Sequence, residues 1–187
     1  MKGMIFTRLI EMADTMLGPD RVKMVIAEAC LPSGGAYTAV GNYPHSEAVT
    51  PLDAFSAASC MPVPDLHGRF GEHMLEYLHR RYTAFFEKCP DAFSFFESID
   101  SYVHVEVRKL YFDAELPRLV AARDSPGRLR FDYHSSRHLE DFAAGLIRGT
   151  LRLFLENANV TQTDASGEYG PCIRFIIEKQ HPPSHVL

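Results

Sequence analysis

The sequence has no apolar run that approaches the roughly 20 residues of a membrane-spanning helix. Its start, Met1–Phe6, lacks the long apolar centre and the cleavage site of a signal peptide, so we expect neither a membrane segment nor a leader. Positive charge is also scarce, because 19 Lys and Arg stand against 24 Asp and Glu, a net charge of -5. Nucleic-acid-binding proteins carry clustered Lys and Arg, so this balance argues against that class.

Cysteine is rare and dispersed. The four residues Cys30, Cys60, Cys89 and Cys172 include no close pair and no His at zinc-finger spacing. Scattered thiols are typical of a reducing cytoplasm rather than of a disulfide framework, so we expect a cytoplasmic protein. Aromatic residues are plentiful by contrast: 13 Phe and 8 Tyr exclude a disordered chain, and the length of 187 residues suits one globular domain.

The common enzyme signatures are missing. Gly34-Gly35 is not followed by the Gly-Lys-Ser pattern of a phosphate-binding loop or by a dinucleotide-binding fingerprint. There is no His-Glu-x-x-His zinc motif and no Gly-x-Ser-x-Gly nucleophile elbow. Carboxylates are numerous, but no pair stands out from a solvated face. We therefore expect a protein that is not an enzyme.

The hydrophobic pattern changes after Pro117. Before it, apolar residues recur at helical spacing in two N-terminal helices and over roughly 46–60, 64–86 and 91–111. After it, apolar and polar residues alternate in two strands around the turn Ser125–Gly127. A helix over roughly 138–156 and two last strands around Asp164–Gly167 complete the pattern. The predicted class is α+β, with a helical N-terminal part and an antiparallel sheet that carries a long helix.

His104 lies in a stretch that is otherwise rich in apolar residues, Ile99–Val107. Taken alone, such a residue is most often a core histidine satisfied by one hydrogen bond. The alternative is a single axial ligand to a metal cofactor, since imidazole is the commonest metal ligand. The other eight histidines are predicted to be surface residues: His45, His67, His73, His79, His134, His138, His181 and His185.

A second candidate feature follows the strand that ends near Tyr133. If the chain stays extended, alternation places Tyr133, Ser135 and Arg137 on one side. Two hydroxyls and a guanidinium suit one or two carboxylates of a ligand, although a strand end with a capping serine and a surface arginine is the simpler alternative. Together with His104, this trio suggests a cofactor with one metal ion and two carboxylates, a description that haem fits.

Several pieces of the sequence resemble, in order, the haem-nitric oxide/oxygen-binding (H-NOX) family, which is related to the haem domain of soluble guanylate cyclase. They are Met1–Gly3, Gly34–Gly41, His104–Tyr111, Ala114–Pro117 and the Tyr-x-Ser-x-Arg motif at 133–137. Phe112-Asp113 departs from the Pro-Gly that relatives usually carry. The resemblance implies an N-terminal helical subdomain, about 1–62, packed on a haem-anchoring subdomain, about 63–187, with haem b buried between them in a single H-NOX domain.

The resemblance also implies a role for particular residues. His104 would ligate the haem iron, and Tyr133, Ser135 and Arg137 would hold the two propionates. Pro117 would press on the macrocycle and hold it out of plane. The gas-side pocket would be lined by Ile5, Leu9, Met74, Leu78, Phe142 and Leu146, which form three i, i+4 pairs on helix faces.

Met74 and the cysteines are the other residues that bear on metal binding. The thioether of Met74 is a conceivable haem ligand, but a flexible Met that fills a pocket is far more usual, so we interpret Met74 as pocket lining and leave the sixth iron position open. Zinc-containing relatives carry a cysteine cluster near the C-terminus. Only Cys172 lies there in this chain, so no structural zinc is expected.

The resemblance implies a haem-based gas sensor. It would bind NO, and also CO, at ferrous haem and signal to a separate protein, in bacterial relatives usually a histidine kinase or a cyclic-di-GMP enzyme (diguanylate cyclase or phosphodiesterase). Oxygen-binding relatives place a Tyr five residues after the motif arginine, where this chain has Phe142, so no stable oxygen complex is expected. The alternatives are an oxygen sensor, a haem enzyme of peroxidase type, which would need polar acid–base residues in the pocket, and a haem-free ligand-binding domain.

Overall fold

Four helices form the N-terminal part of the structure. A computed structural model describes residues 1–168 and 170–180, so His181 and His185 lie outside the described residues. The helices are α1 (Gly3–Leu17), α2 (Pro19–Glu28), α3 (Ser46–Ser59) and α4 (Val63–Arg81). Gly18 separates the first two, because its φ of 84° lies in the left-handed region and Pro19 then begins α2 at a position that needs no N–H partner.

An apolar cluster, named here the N-terminal core, holds these helices together. Its fully buried members include Leu9, Leu52, Phe55 and Leu66. Phe142, which comes from a later helix, packs against the same cluster. Burial of this apolar surface supplies the main favourable free energy for packing the N-terminal helices.

The helix predicted over 64–86 is broken at Tyr82. α4 ends at Arg81, Tyr82 has φ -134° and ψ 44°, and a short α5 (Thr83–Glu87) follows. The hydroxyl of Thr83 donates to the carbonyl oxygen of His79 at 2.9 Å, an acceptor that the Thr83 N–H would use in a continuous helix. The sequence prediction of one helix was wrong here because this local side-chain bond competes with the helical one.

The helix predicted over 91–111 has a wide turn in its middle. It consists of α6 (Ala92–Ser98), a π-helical turn (Ile99–Val103) and α7 (His104–Leu110). Asp91 caps α6 by accepting the Ser94 N–H at 2.7 Å. The N–H of His104 donates to the carbonyl of Ile99, five residues earlier. None of the helices in the described part of the chain is long and apolar enough to cross a bilayer.

A four-stranded antiparallel sheet forms the C-terminal part, so the predicted α+β class is confirmed. Its strands are β1 (Arg118–Ser125), β2 (Arg128–His134), β3 (Ala158–Asp164) and β4 (Cys172–Lys179), in the order β1-β2-β4-β3. The inner face buries Leu129, Phe131, Phe175 and Ile177 in a second apolar cluster, named here the C-terminal core, which also includes Phe93 of α6.

Helix α8 (Glu140–Leu153) follows β2 and crosses α4 at backbone contact. A Cβ atom at Gly71 would overlap the carbonyl oxygen of Phe142, and one at Gly145 would overlap the carbonyl oxygen of Gly68. Only glycine permits so close an approach. The crossing places Gly71, one turn before Met74, against the backbone of Phe142, Gly145 and Leu146.

Candidate haem-binding and gas-binding site

His104 is buried at the first residue of α7, directly after the π-helical turn. Its residue exposure is 9%, and its Nδ1 lies 3.3 Å from Oδ1 of Asp100. Burial lowers the pKa of His104 more than the hydrogen bond to Asp100 raises it, so the imidazole is neutral near pH 7. Since a carboxylate only accepts hydrogen bonds, Nδ1 carries the proton and Nε2 keeps its lone pair. Within residues 1–168 and 170–180, the structure gives Nε2 no hydrogen-bond partner.

Asp100 connects His104 to the sheet. The Oδ1 atom that faces His104 also accepts the backbone N–H of Leu119, on β1, at 3.5 Å. Sequence reasoning missed Asp100, although an acid four residues before the candidate ligand is a signal that helical spacing offers. Single-turn π-helices are rare and frequently occur at functional sites. The wide turn and its carboxylate are therefore part of the candidate site.

The strand pair β1–β2 places the remaining motif residues at the same end of the sheet as Leu119. Leu119 pairs with Tyr133, and Arg118 pairs with His134. Pro117 immediately precedes β1, and Ser135 immediately follows β2. The structure therefore brings the Asp100–His104 pair, Pro117 and the start of the Tyr-x-Ser-x-Arg motif to one end of the sheet.

The motif side chains already interact with polar partners. Nη1 of Arg137 donates to the carbonyl oxygen of Glu115 at 2.9 Å, and Nη2 pairs with the Glu115 carboxylate. The hydroxyl of Ser135 accepts the Arg137 N–H at 3.2 Å. Burial raises the pKa of Tyr133, which therefore keeps its phenolic proton as a hydrogen-bond donor. Sequence reasoning missed Glu115, because its position depends on the loop between α7 and β1.

Further positive charge lies near Arg137. The Met1 ammonium donates to the carbonyl oxygen of Tyr43 at 2.8 Å. Burial lowers the pKa of the Met1 ammonium, and the charge of Arg137 lowers it further. Burial likewise lowers the pKa of His45, with Arg137 and the Met1 ammonium as the next causes. Sequence reasoning gave neither group a role. His45 is therefore neutral near pH 7, whereas the repulsion between the Met1 ammonium and Arg137 favours a bound anion at this end of the sheet.

The predicted gas-side residues come from three helices: Ile5 and Leu9 on α1, Met74 and Leu78 on α4, and Phe142 and Leu146 on α8. The structure does not gather them in one cluster. Ile5 and Leu9 belong to the N-terminal core, and so does Phe142, whose ring centre is 5.0 Å from that of Phe70. Leu146 instead packs against the C-terminal core. Met74 is fully buried at 1% exposure.

Two polar residues of α4 next to these positions differ in their surroundings. The ring of Tyr77 lies under the guanidinium of Arg8 at 4.7 Å and is thereby held against α1. His73 has a buried Nε2 with no hydrogen-bond partner in the described part of the chain. His67, at 9% exposure, has the same property, so the prediction that it is a surface residue is wrong: it turns inward from the amphipathic α4.

A separate group of possible ligand atoms lies on the outer face of the sheet. Sγ of Cys172 is 3.8 Å from Nε2 of His134, and Asp132 is close to both. Arg174, however, donates to both carboxylate oxygens of Asp132, at 2.7 and 2.8 Å. The Asp132 carboxylate is thus already paired. This group lies at the same end of the sheet as Tyr133, but on the opposite face.

The fold is that of a haem-based gas-sensor domain. The family model described as Haem-NO-binding matches residues 2–162, and the chain belongs to this family, also called H-NOX. The predictions of family and fold class are therefore confirmed. H-NOX domains bind haem and gaseous ligands such as NO and CO, and they act as sensors rather than as enzymes.

Solved structures agree with this assignment. The chain is 32% identical to the Fe(II) unliganded H-NOX protein of K. algicida, with a TM-score of 0.89 and 98% of each chain covered. It is 26% identical to the S. oneidensis H-NOX protein in its Fe(II)NO state, with a TM-score of 0.85 over 97% of this chain and 100% of that one. Similarity to the I5F mutant of T. tengcongensis H-NOX, at 20% identity and a TM-score of 0.86, shows the fold alone. Comparison with curated protein sequences gives no significant match.

Proposed function

We propose that this H-NOX domain is a sensor of NO that holds haem b through His104 and passes its signal to a separate protein. The observation that carries the proposal is the continuous set of contacts from His104 through Asp100 to Leu119, which pairs with Tyr133. These contacts join a neutral, buried imidazole to the motif expected to bind two carboxylates.

The chemistry of the residues present fits haem. Nε2 of His104 has a lone pair and no hydrogen-bond partner among the described residues, which is what iron ligation requires. The guanidinium of Arg137 binds the Glu115 carboxylate, so it is oriented to accept an acidic group of this kind. Tyr133 and Ser135 would hold the propionates with Arg137, and Pro117 would contact the macrocycle. When bound, haem would supply a ferrous iron as the gas-binding centre, and His104 would hold that iron.

Residues around α7 would convert the release of His104 into a movement between the two parts of the chain. His104 is the first residue of α7, and the loop after α7 carries Asp113. Asp113 is bound by Lys2 at 2.6 Å and by Asn42 at 2.5 Å, both from the N-terminal part. A displacement of α7 therefore acts directly on this link, which is the kind of two-state contact that a switch needs.

The apolar lining supports NO as the ligand rather than oxygen. Bound oxygen carries partial negative charge and gains from a hydrogen-bond donor, whereas NO needs none. None of the six predicted lining residues has a donor, and Phe142 occupies the position of the tyrosine in oxygen-binding relatives. One observation favours the alternative of an oxygen sensor: the buried Nε2 of His73, beside Met74, has no partner among the described residues.

The partner we propose is a histidine kinase or a cyclic-di-GMP enzyme in the cytoplasm, as in the bacterial relatives that the sequence resembles. An absorption spectrum tests the gas-binding part of the proposal. We expect haem in the purified protein and stable ferrous complexes with NO and with CO after anaerobic reduction. In His104→Gly we expect a folded protein with little haem, partly restored by imidazole in the growth medium. Full haem occupancy of His104→Gly without imidazole contradicts the proposal.

A further inference from the structure

The carboxylate of Asp100 faces the imidazole of His104 from within the π-helical turn. One oxygen, Oδ1, accepts hydrogen bonds from both Nδ1 of His104, at 3.3 Å, and the N–H of Leu119, at 3.5 Å. The turn that separates the two residues is wider than an α-helical turn, because the His104 N–H reaches back to Ile99. Asp100 is thus fixed on one side by β1 and contacts the ligand residue on the other.

We infer that Asp100 is a positioning residue for the iron ligand, which holds His104 with Nδ1 protonated and Nε2 directed to the haem and strengthens the iron–His104 bond. The inference rests on the proposed function, in which His104 ligates the iron. Metal-bound histidines commonly donate their second ring N–H to a carboxylate, which fixes the tautomer and ring orientation and makes the ligand more basic.

The effect of Asp100 is assigned to this directed hydrogen bond rather than to its charge at a distance. The Asp100 side chain is 43% exposed, so water screens its attraction for more remote groups. The positive charge of Arg108, one turn further along α7, acts on the pKa of His104 in the opposite direction to Asp100. A hydrogen bond to an anionic acceptor in direct contact outweighs such a screened charge.

The inference has consequences before and after NO binds. In the resting protein, the iron–His104 bond should be stronger than the same bond to an imidazole without a carboxylate partner. Loss of the carboxylate should therefore lower the strength of the iron–His104 bond and favour its rupture by NO.

The decisive variant is Asp100→Asn in the haem-loaded protein. An asparagine retains an oxygen that accepts the Leu119 N–H, but it removes the negative charge from the contact with His104. The measurement is the ferrous iron–histidine stretching frequency by resonance Raman spectroscopy, with the coordination number of the NO complex read from its absorption spectrum. We expect a lower frequency and a larger five-coordinate fraction. Asp124→Asn is the matched control, since Asp124 pairs with Arg128 and Arg130 at the far end of β1, and it should leave both readings unchanged.

Two further variants keep the test decisive. Asp100→Ser is a second neutral replacement, to be read in the same way if Asp100→Asn does not retain haem. Asp100→Glu restores the negative charge and should bring the frequency back above that of the neutral variants. If a haem-loaded neutral variant has the same iron–histidine stretching frequency as the parent, the inference is wrong. It is also wrong if Asp100→Glu does not raise that frequency above the value of the neutral variants.

Failure of the proposed function has a different signature. If the parent shows no iron–histidine band, or if the band persists in His104→Gly, His104 is not the ligand and the proposed function fails. If the band disappears in His104→Gly but is unchanged in the neutral Asp100 variants, only the role of Asp100 is wrong.

Discussion

Nζ of Lys2, just before α1, forms an ion pair of 2.6 Å with Oδ1 of Asp113, in the loop after α7. The same Lys2 ammonium lies 5.6 Å from the ring centre of Tyr111. This pair links two segments that are far apart in the sequence. It joins the segment that follows the candidate iron ligand to the N-terminal helices.

The first prediction concerns the pH dependence of this link. Lys2 and Asn42 lower the pKa of Asp113. Its contribution to stability is therefore present above the usual aspartate pKa of about 4 and is lost as the pH falls through the lowered value. We expect Asp113→Asn to lower Tm by about 1–2 °C at pH 7, because the pair is partly exposed. The difference between parent and variant should disappear in strong acid. An equal difference at pH 7 and below pH 3 contradicts the assignment.

The second prediction concerns the propionate trio. Hydrogen bonds to charged groups contribute about 1.5–3 kcal/mol, so Arg137→Ala should release haem roughly 10- to 100-fold faster. Ser135→Ala should cost less, because a neutral hydroxyl binds a carboxylate less strongly than a guanidinium does. Haem transfer to an excess of an acceptor protein measures both rates. If both variants release haem at the rate of the parent, the motif has only a structural role.

The third prediction concerns Glu115, whose replacement should slow haem release rather than speed it. The Glu115 carboxylate pairs with Arg137, although 82% of its side chain is exposed. Glu115 therefore competes with a propionate for the same guanidinium. We expect Glu115→Gln to slow haem release, by less than tenfold because solvent screens the pair. Glu178→Gln, which removes an exposed carboxylate paired with Arg128 at the far end of the sheet, serves as the control. Faster release in Glu115→Gln means that Glu115 instead holds Arg137 in its binding position.

The fourth prediction concerns the crossing of α4 and α8. Gly71→Ala places a methyl group against the carbonyl oxygen of Phe142, so the two helices must separate. Overpacking of this kind costs about 1–3 kcal/mol. We expect a lower Tm together with altered CO binding kinetics, since Met74 and Phe142 flank the contact. Gly127→Ala, with open space around its Cβ, should change neither measurement. If Gly71→Ala has the same Tm as the parent, α4 and α8 can separate without a loss of stability.

Local patterns were sufficient to predict most of the secondary structure. The alternation of Leu129, Phe131 and Tyr133 identified β2, because each of these residues is buried on the inner face of the sheet. The break at Tyr82 was missed because a single hydroxyl, that of Thr83, takes over a helical acceptor. The π-helical turn was missed because one extra residue per turn leaves no mark in a short apolar sequence.

The candidate site was predictable only in part. Residue type and spacing made His104 and the Tyr-x-Ser-x-Arg motif candidates, and their roles came from the resemblance to the H-NOX family. Glu115 and the Met1 ammonium could not, because their approach to Arg137 depends on how a loop and the chain start pack against the sheet. His73 was assigned to the surface for a similar reason, since helical spacing alone does not say which neighbours cover a flank of α4.

The last prediction is gas selectivity, and it depends on His73 and Phe142. With an apolar lining, the reduced protein should form stable complexes with NO and CO, whereas admission of air should cause slow oxidation without a persistent oxygen complex. If the partnerless Nε2 of His73 reached the bound gas, it would supply the missing donor, and oxygen would be retained. His73→Leu separates these cases, because it should leave the spectra in air unchanged if the pocket lacks a donor. Phe142→Tyr adds a hydroxyl worth about 0.5–1.5 kcal/mol and should slow oxygen loss measurably without fully converting the site. A persistent oxygen complex in the parent that is abolished in His73→Leu would establish the oxygen-sensor alternative and give His73 the role of donor.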